Sequence, residues 1–418
     1  MQYINQSLVL EIRQKFCNVN TCPISGDRIF FENAGGALTL KSALETTTKF
    51  ASIPDNQGRD NAASKTLNDV IKNAKRDLSA LFNTQSGEFF MGESGTELLF
   101  RLIRNAVVAS PLGGSIVGTS LEHPASRSAA KKWSNEMKYT YLSVPHCVKT
   151  GTVDPKNYAG KISDTTRVVT IVHASPVTGM GTKIKEISKI VRQKAPLAFI
   201  IVDGIQHAAH GGIDIESYDI DGYVISPYKM FSRHGFGIAW VSDRLRNAPH
   251  EQLDGGPSDN WELGTRDTGA YATMSDVKKY MCWLGKEFTK NSDSREQIKA
   301  AGAAIQDYER KLTDALLRGL ENLKGLADFE DVEIIGGLNN SSREGLVSFR
   351  IKDYPSEKIV RYLNHQGIRT HTRKCDHYSE NILTPLGWDD CVRVSICHYN
   401  TLSEIKKFLS CMAAFRDN

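Results

Sequence analysis

The chain has 418 residues, 40% hydrophobic and 24% charged, the balance of an ordinary globular protein long enough for a large core and a second, smaller domain. A formal net charge of +4 without a Lys/Arg block is too weak to single out nucleic acid or an acidic membrane as partner, so a small-molecule substrate is expected. The opening "MQYINQSLVLEIRQKF" lacks a secretory pattern, no apolar run reaches about 18 residues, and the eight cysteines form no CxxC pair. The expectation is a cytoplasmic protein with reduced cysteines and neither a disulfide framework nor a zinc ribbon.

In chain order, "EFFMG", "GSIVGTS", "RVVTIVHAS", "AFIIVDG", "GYVIS" and "GIAWVS" recur between residues 88 and 242. They are continuous apolar runs, as in strands covered on both faces of a mostly parallel sheet, which predicts an α/β fold. Helical periodicity follows in "MSDVKKYMCWLGKEF" and "REQIKAAGAAIQDYERKLTDALLRGLENL". The remaining "EGLVSFRI", "SEKIVRYLNHQ", "GIRTHT", "CVRVSICHYN" and "LSEIKKFLSCMAAF" read as a smaller α+β domain. The expected division is an N-terminal segment over 1–29, a large cofactor-binding domain over 30–290 and a small C-terminal domain over 291–418.

Ligands of open α/β sheets gather at the carboxyl ends of strands, and four such ends carry chemistry here. Ser94, Gly95 and Thr96 open a helix after "FFMG", a natural phosphate cradle. His123 lies in "LEHPAS", Asp203 and Gln206 in "VDGIQ", and Ser226, Tyr228 and Lys229 in "SPYKM". Taken singly, each has an ordinary explanation: a solvated strand end for Lys229, a turn aspartate, a surface histidine, a capping box. Together, and in this order, they are what pyridoxal 5′-phosphate requires. Its aldehyde takes a lysine, its ring nitrogen a carboxylate, its phosphate a helix start, its ring a stacking partner. Lowering the lysine pKa by three units, to make the amine available near neutrality, corresponds to about 4 kcal/mol of differential environment.

These motifs resemble those of the fold-type I, class V pyridoxal-phosphate enzymes, which include cysteine desulfurases, selenocysteine lyases, kynureninases and isopenicillin N epimerase-like proteins. The resemblance runs from "FFENAGG" to "RVSICHYNT". It implies an aspartate-aminotransferase-like, three-layer large domain plus a smaller C-terminal α+β domain. It implies that Gly95, Thr96 and Ser226 hold the phosphate, His123 stacks on the ring, Asp203 pairs with the ring nitrogen, Gln206 meets the ring hydroxyl, and Lys229 forms the Schiff base. Thr265 in "WELGTRD" would reach the phosphate of a neighbouring subunit, implying a homodimer. Arg393 would clamp the substrate α-carboxylate, a charge-assisted contact of roughly 1.5–3 kcal/mol. Asn33 and Ala34 in "ENAGG" would line the substrate site.

Three departures separate the chain from a standard desulfurase. Tyr228 precedes the lysine where those enzymes have histidine, and its hydroxyl is a further candidate for the phosphate. Pro176 stands where an asparagine would meet the ring hydroxyl, leaving Gln206 or Thr178 to make that contact. Cys375 in "GIRTHTRKCDHYS" is the sole candidate for a sulfur-accepting cysteine, out of its usual surroundings. Zinc readings of His207 with His210, or of Cys375, His377, Cys397 and His398, lack the acid of an HExxH motif and a knuckle respectively. His210 reads instead as a packing residue or a support behind the site. The resemblance points to cysteine desulfurase-like C–S cleavage of an amino acid, with an epimerase, racemase or aminotransferase as the alternative. A cofactor-binding protein without turnover is a more distant reading.

Overall fold

The computed structural model describes residues 3–416. Seven strands form the large sheet: β1 (Glu88–Gly92), β2 (Ser115–Thr119), β3 (Thr140–Val144), β4 (Thr166–Val172), β5 (Phe199–Asp203), β6 (Gly222–Ile225) and β7 (Gly237–Val241). Their order is β1-β7-β6-β5-β4-β2-β3. Neighbours from β6 to β3 pair in parallel, whereas β7 runs antiparallel to both β6 and β1. The expected mostly parallel sheet therefore carries one reversed strand, which an apolar run alone does not distinguish. The edge strand β3 was not among the expected runs; its "TYLSV" is half-exposed and lacks the continuous apolar signal of its neighbours.

Alternation within each strand feeds two cores. Phe199 and Ile201 point to one side, under α2 (Gly95–Val108) and α3 (Pro124–Glu136), while Ile200 and Val202 point to the other. That second side is covered by α1 (Ala62–Phe82), α4 (Ile184–Lys194), α5 (Thr268–Lys286) and α6 (Ser294–Arg318). The result is three layers around a doubly buried sheet. The helices α5 and α6 cross closely at Gly285, where an added Cβ would meet the Gln297 carbonyl oxygen at 1.9 Å.

The smaller C-terminal unit is an antiparallel sheet ordered β8-β9-β11-β10, built from β8 (Val332–Ile334), β9 (Leu346–Ile351), β10 (His371–Lys374) and β11 (Asp390–Ser395). It packs with α7 (Ser356–His365) and α8 (Leu402–Arg416). The start of the chain returns here: Ile29–Phe30 pairs in parallel with Ile368–Arg369, and Glu32 bridges to Ser395. No described helix is long and apolar enough to cross a membrane.

Candidate active site

The carboxyl ends of β1, β2, β4, β5 and β6 converge on one cavity lined by Thr96, His123, Pro176, Asp203, Gln206, Ser226, Tyr228 and Lys229 among others. Its cavity volume is about 60 Å³. Each residue is placed by an identifiable local device. Ser94 caps α2, its hydroxyl accepting from the Glu97 amide at 3.1 Å, so the first-turn amides of Gly95 and Thr96 have no intrahelical acceptor. Gly95 is held against the next loop; a Cβ there would lie 2.5 Å from both Ile205 Cδ1 and Ser226 Oγ. Asp203 ends β5 and accepts from the Ile205 amide at 3.0 Å. His123 caps α3, its Nδ1 accepting from the Ala125 amide at 3.2 Å. The neutral ring therefore carries its proton on Nε2.

The electrostatics follow from burial. The Lys229 amine is pulled down to about 7, first by desolvation and then by Arg393. Its hydrogen-bond partner is Gln206 Oε1 at 3.3 Å. Burial raises Asp203 to about 6, with Lys229 pulling the other way. Burial, reinforced by Lys229, drops His123 to about 3, so its imidazole is neutral. Burial also raises the Tyr228 phenol, whose ring stacks on His234 at 4.2 Å.

Other expected residues sit around this cavity and not in its wall. Arg393 is buried on β11 and reaches across to the Pro176 carbonyl at 3.0 Å, which ties it to the site. Pro176 does line the cavity, but Thr178 is buried behind it, its hydroxyl accepting from the Met180 amide; Gln206 is the one of the two that faces the site. Asn33 and Ala34 pin the N-terminal segment to β11: Asn33 Nδ2 donates to the Ser395 carbonyl at 2.8 Å and the Ala34 amide to Ser395 Oγ at 2.9 Å. From that segment it is Gly36 that abuts the site, its Cβ position lying 3.3 Å from the Tyr228 ring. Thr265 is exposed in the loop before α5, beside Arg266, which pairs with Glu93. Cys375 is exposed just after β10, its sulfur 3.2 Å from Thr384 Oγ1.

The histidines read as possible zinc ligands are turned to carboxylates instead. His207 Nδ1 lies 2.8 Å from Glu344, and His210 Nδ1 lies 2.8 Å from Glu309. His210 Nε2 is 3.3 Å from Gln206 Nε2, so a buried chain of contacts runs Lys229–Gln206–His210–Glu309. Cys397 and His398 come within 4.8 Å of Glu309, while Cys375 and His377 belong to an exposed loop and are not in that group. Sequence reasoning missed Glu122 and Arg373. Glu122 is buried beside Asp203 and raised to about 8 by burial; "EH" was read for its histidine alone.

The donor set fits pyridoxal 5′-phosphate. A half-buried lysine of lowered pKa, a buried carboxylate, a neutral histidine and a helix start that only glycine allows to approach Ser226 all face one cavity. These features define a fold-type I cofactor enzyme. The aminotransferase class-V pattern matches residues 29–408, and the chain belongs to that family. It is 25% identical over 398 residues to the aminotransferase-like protein FGM3 of Gibberella zeae, covering 91% of this chain and 93% of that one. It is 27% identical over 405 residues to the cysteine desulfurase-like protein ustD of Aspergillus flavus, covering 93% and 87%. Its fold superposes on a cysteine desulfurase from Thermococcus onnurineus with a TM-score of 0.82 at 19% identity, covering 99% of this chain and 98% of that one. The protein is a PLP-dependent enzyme that acts on a small-molecule amino-acid substrate through its lysine.

Proposed function

We propose that the enzyme cleaves the C–S bond of an L-amino acid bearing sulfur on Cβ. The observation that carries the chemistry is the half-buried Lys229 amine, which lines the cavity with Asp203 and has its pKa pulled to about 7 by desolvation and Arg393. Bound there, pyridoxal 5′-phosphate supplies an electrophilic carbon for the substrate amine and a protonated ring that withdraws electrons from the neighbouring Cα–H bond.

The chain's own residues do the rest. Gly95, Thr96 and Ser226 would hold the phosphate at the start of α2, with the Tyr228 hydroxyl as a further donor. Asp203 would keep a proton on the ring nitrogen. Gln206 would hold the ring hydroxyl and His123 the ring face, with its Nε2 proton available to the substrate. Arg393 grips the α-carboxylate and so turns the Cα–H bond toward Lys229 Nζ, which removes that proton as general base.

The branch after proton removal rests on likeness: the desulfurase order of motifs, and the cysteine-desulfurase names among relatives and structural neighbours. Purified holoenzyme given L-cysteine and related sulfur-bearing amino acids is expected to release sulfur with alanine or pyruvate. If no such amino acid yields sulfide, persulfide, sulfite, alanine or pyruvate, the assignment is wrong. One observation favours a second reading, racemisation or amino transfer: Cys375 lies outside the cavity wall, bonded to Thr384, where a sulfur acceptor would be expected to face inward. Deuterium uptake at Cα from heavy water with the amino acid retained would select racemisation.

We also take the working form to be a cytoplasmic homodimer. The exposed Thr265 loop, ion-paired to the start of the phosphate helix through Arg266 and Glu93, supports shared sites, and eight unpaired cysteines suit a reducing compartment. Sedimentation at micromolar concentration is expected to give twice the chain mass.

A further inference from the structure

We propose that Arg373 makes this site selective for amino acids whose side chain ends in an anion, a carboxylate or sulfinate. The inference rests on the proposed assignment of Arg393 to the α-carboxylate. Strand register brings the two arginines together: β10 and β11 pair antiparallel with His371 opposite Arg393 and Arg373 opposite Cys391. Arg373 and Arg393 are therefore diagonal neighbours on one face of the sheet, about 7–8 Å apart at the backbone.

That face borders the cavity: Arg393 reaches the Pro176 carbonyl in its wall at 3.0 Å, and Arg373 stands beside it outside the wall. Arg373 acts electrostatically on both Lys229 and His123, and its guanidinium lies 5.7 Å from the Tyr378 ring, which is itself 6.0 Å from the His123 ring. Among the described residues neither arginine has an ion-pair partner, and the Nε of each is buried without a hydrogen-bond acceptor. Glu32 acts on both guanidiniums and Asp376 on Arg373, but neither carboxylate comes within ion-pair distance of them. Glu32 lies 3.2 Å from His371 Nδ1, and Asp376 accepts from the Tyr378 amide at 2.9 Å.

The alternative is that Arg373 merely packs on Tyr378. A cation–π contact does satisfy a guanidinium face, but it gives nothing to the buried in-plane Nε–H, which lacks an acceptor. A substrate with one carboxylate neutralises Arg393 and leaves Arg373 a second positive charge beside it. A side-chain anion two or three bonds beyond Cα supplies the missing acceptor in the planar, two-pronged form that arginine recognises.

The test is calorimetric titration of holoenzyme with succinate and with butanoate, acids of equal length that lack an amine and so remain unreacted. Succinate is expected to bind at least tenfold more tightly, and Arg373→Gln to bring the ratio close to one, with Arg373→Lys restoring part of it. In turnover, the same Arg373→Gln change is expected to lower the ratio of kcat/KM for L-cysteine sulfinate over L-cysteine at least tenfold. An unaltered cofactor absorbance shows that the variants fold. Equal binding of the two acids by the unmodified enzyme, or an unchanged ratio in Arg373→Gln, would overturn the proposal. The two readings fail separately: a succinate preference set by Arg373 with no sulfur released from any amino acid removes C–S cleavage and leaves the anion site standing. Sulfur release at the same ratio with and without Arg373 does the reverse.

Discussion

Lys229 and Glu122 show how desolvation drives two groups in opposite chemical senses. Desolvation brings the lysine down to about 7 and takes the carboxyl up to about 8, so each becomes neutral near physiological pH. Replacing Lys229 by alanine is expected to abolish the visible absorbance of lysine-bound cofactor and to lower kcat/KM by about 10²–10⁴, the scale of a lost general base. An unchanged spectrum would refute the central assignment. For Glu122 the sign is set by linkage. Its folded pKa lies above the ordinary 4.5, so between about 4.5 and 8 the unfolded chain loses a proton that the folded chain keeps. Stability from this group is therefore full below about 4.5 and falls as pH rises, by about 1.4 kcal/mol per pH unit across that window. Glu122→Gln keeps an acceptor for the Val172 amide but does not titrate. Urea melts of the two proteins from pH 5 to 8 are expected to converge and then cross in favour of the variant; parallel curves would place the Glu122 proton elsewhere.

The helix start at Gly95 is an element whose sequence, cap and packing agree. Gly95→Ala would put a methyl group against Ile205 and Ser226, forcing α2 back from the loop that carries Asp203 and Gln206. Overpacking of this kind costs about 1–3 kcal/mol. It is expected to weaken cofactor binding at least tenfold, measured by fluorescence titration of apoprotein with pyridoxal 5′-phosphate. Equal affinity would mean that the cradle tolerates a side chain. This element was legible in advance because a strand end, a capping serine and a small residue are local signals. So were Asp203 and Lys229, each at the end of a continuous apolar run. Arg373 was not: "TRKCDHYS" is charged and polar, and reads as a solvated loop. Only the pairing of β10 with β11, strands separated by a helix and a turn, puts Arg373 on the same sheet face as Arg393. The reversed β7 was hidden for a related reason, since burial on both faces gives the same apolar run in either direction.

At the scale of the whole molecule, the site is completed by the two ends of the chain meeting. Asn33 and Ser395 are 362 positions apart, yet the Asn33 amide side chain donates to the Ser395 carbonyl and accepts from the Tyr399 hydroxyl. The Tyr399 oxygen in turn accepts from the Leu38 amide at 2.9 Å. These bonds seat the segment that carries Gly36 over Tyr228, and they fix β11, which carries Arg393 two residues before Ser395. Asn33→Ala would leave a buried phenol without its acceptor and a buried carbonyl short of a donor, at about 1–3 kcal/mol for each group. A loss of about 2–6 kcal/mol in unfolding free energy is therefore expected. Because Lys229, Asp203 and the α2 cradle belong to the other sheet, the cofactor absorbance should survive while substrate affinity falls through a loosened Arg393. Hydrogen exchange locates the effect: faster exchange of β9 and β11 amides with β4 and β5 protected would show that Asn33 ties the small sheet to the site. Uniform acceleration across both sheets would show instead that the two ends of the chain stabilise the molecule as a whole, and that substrate grip and global stability cannot be separated at this residue.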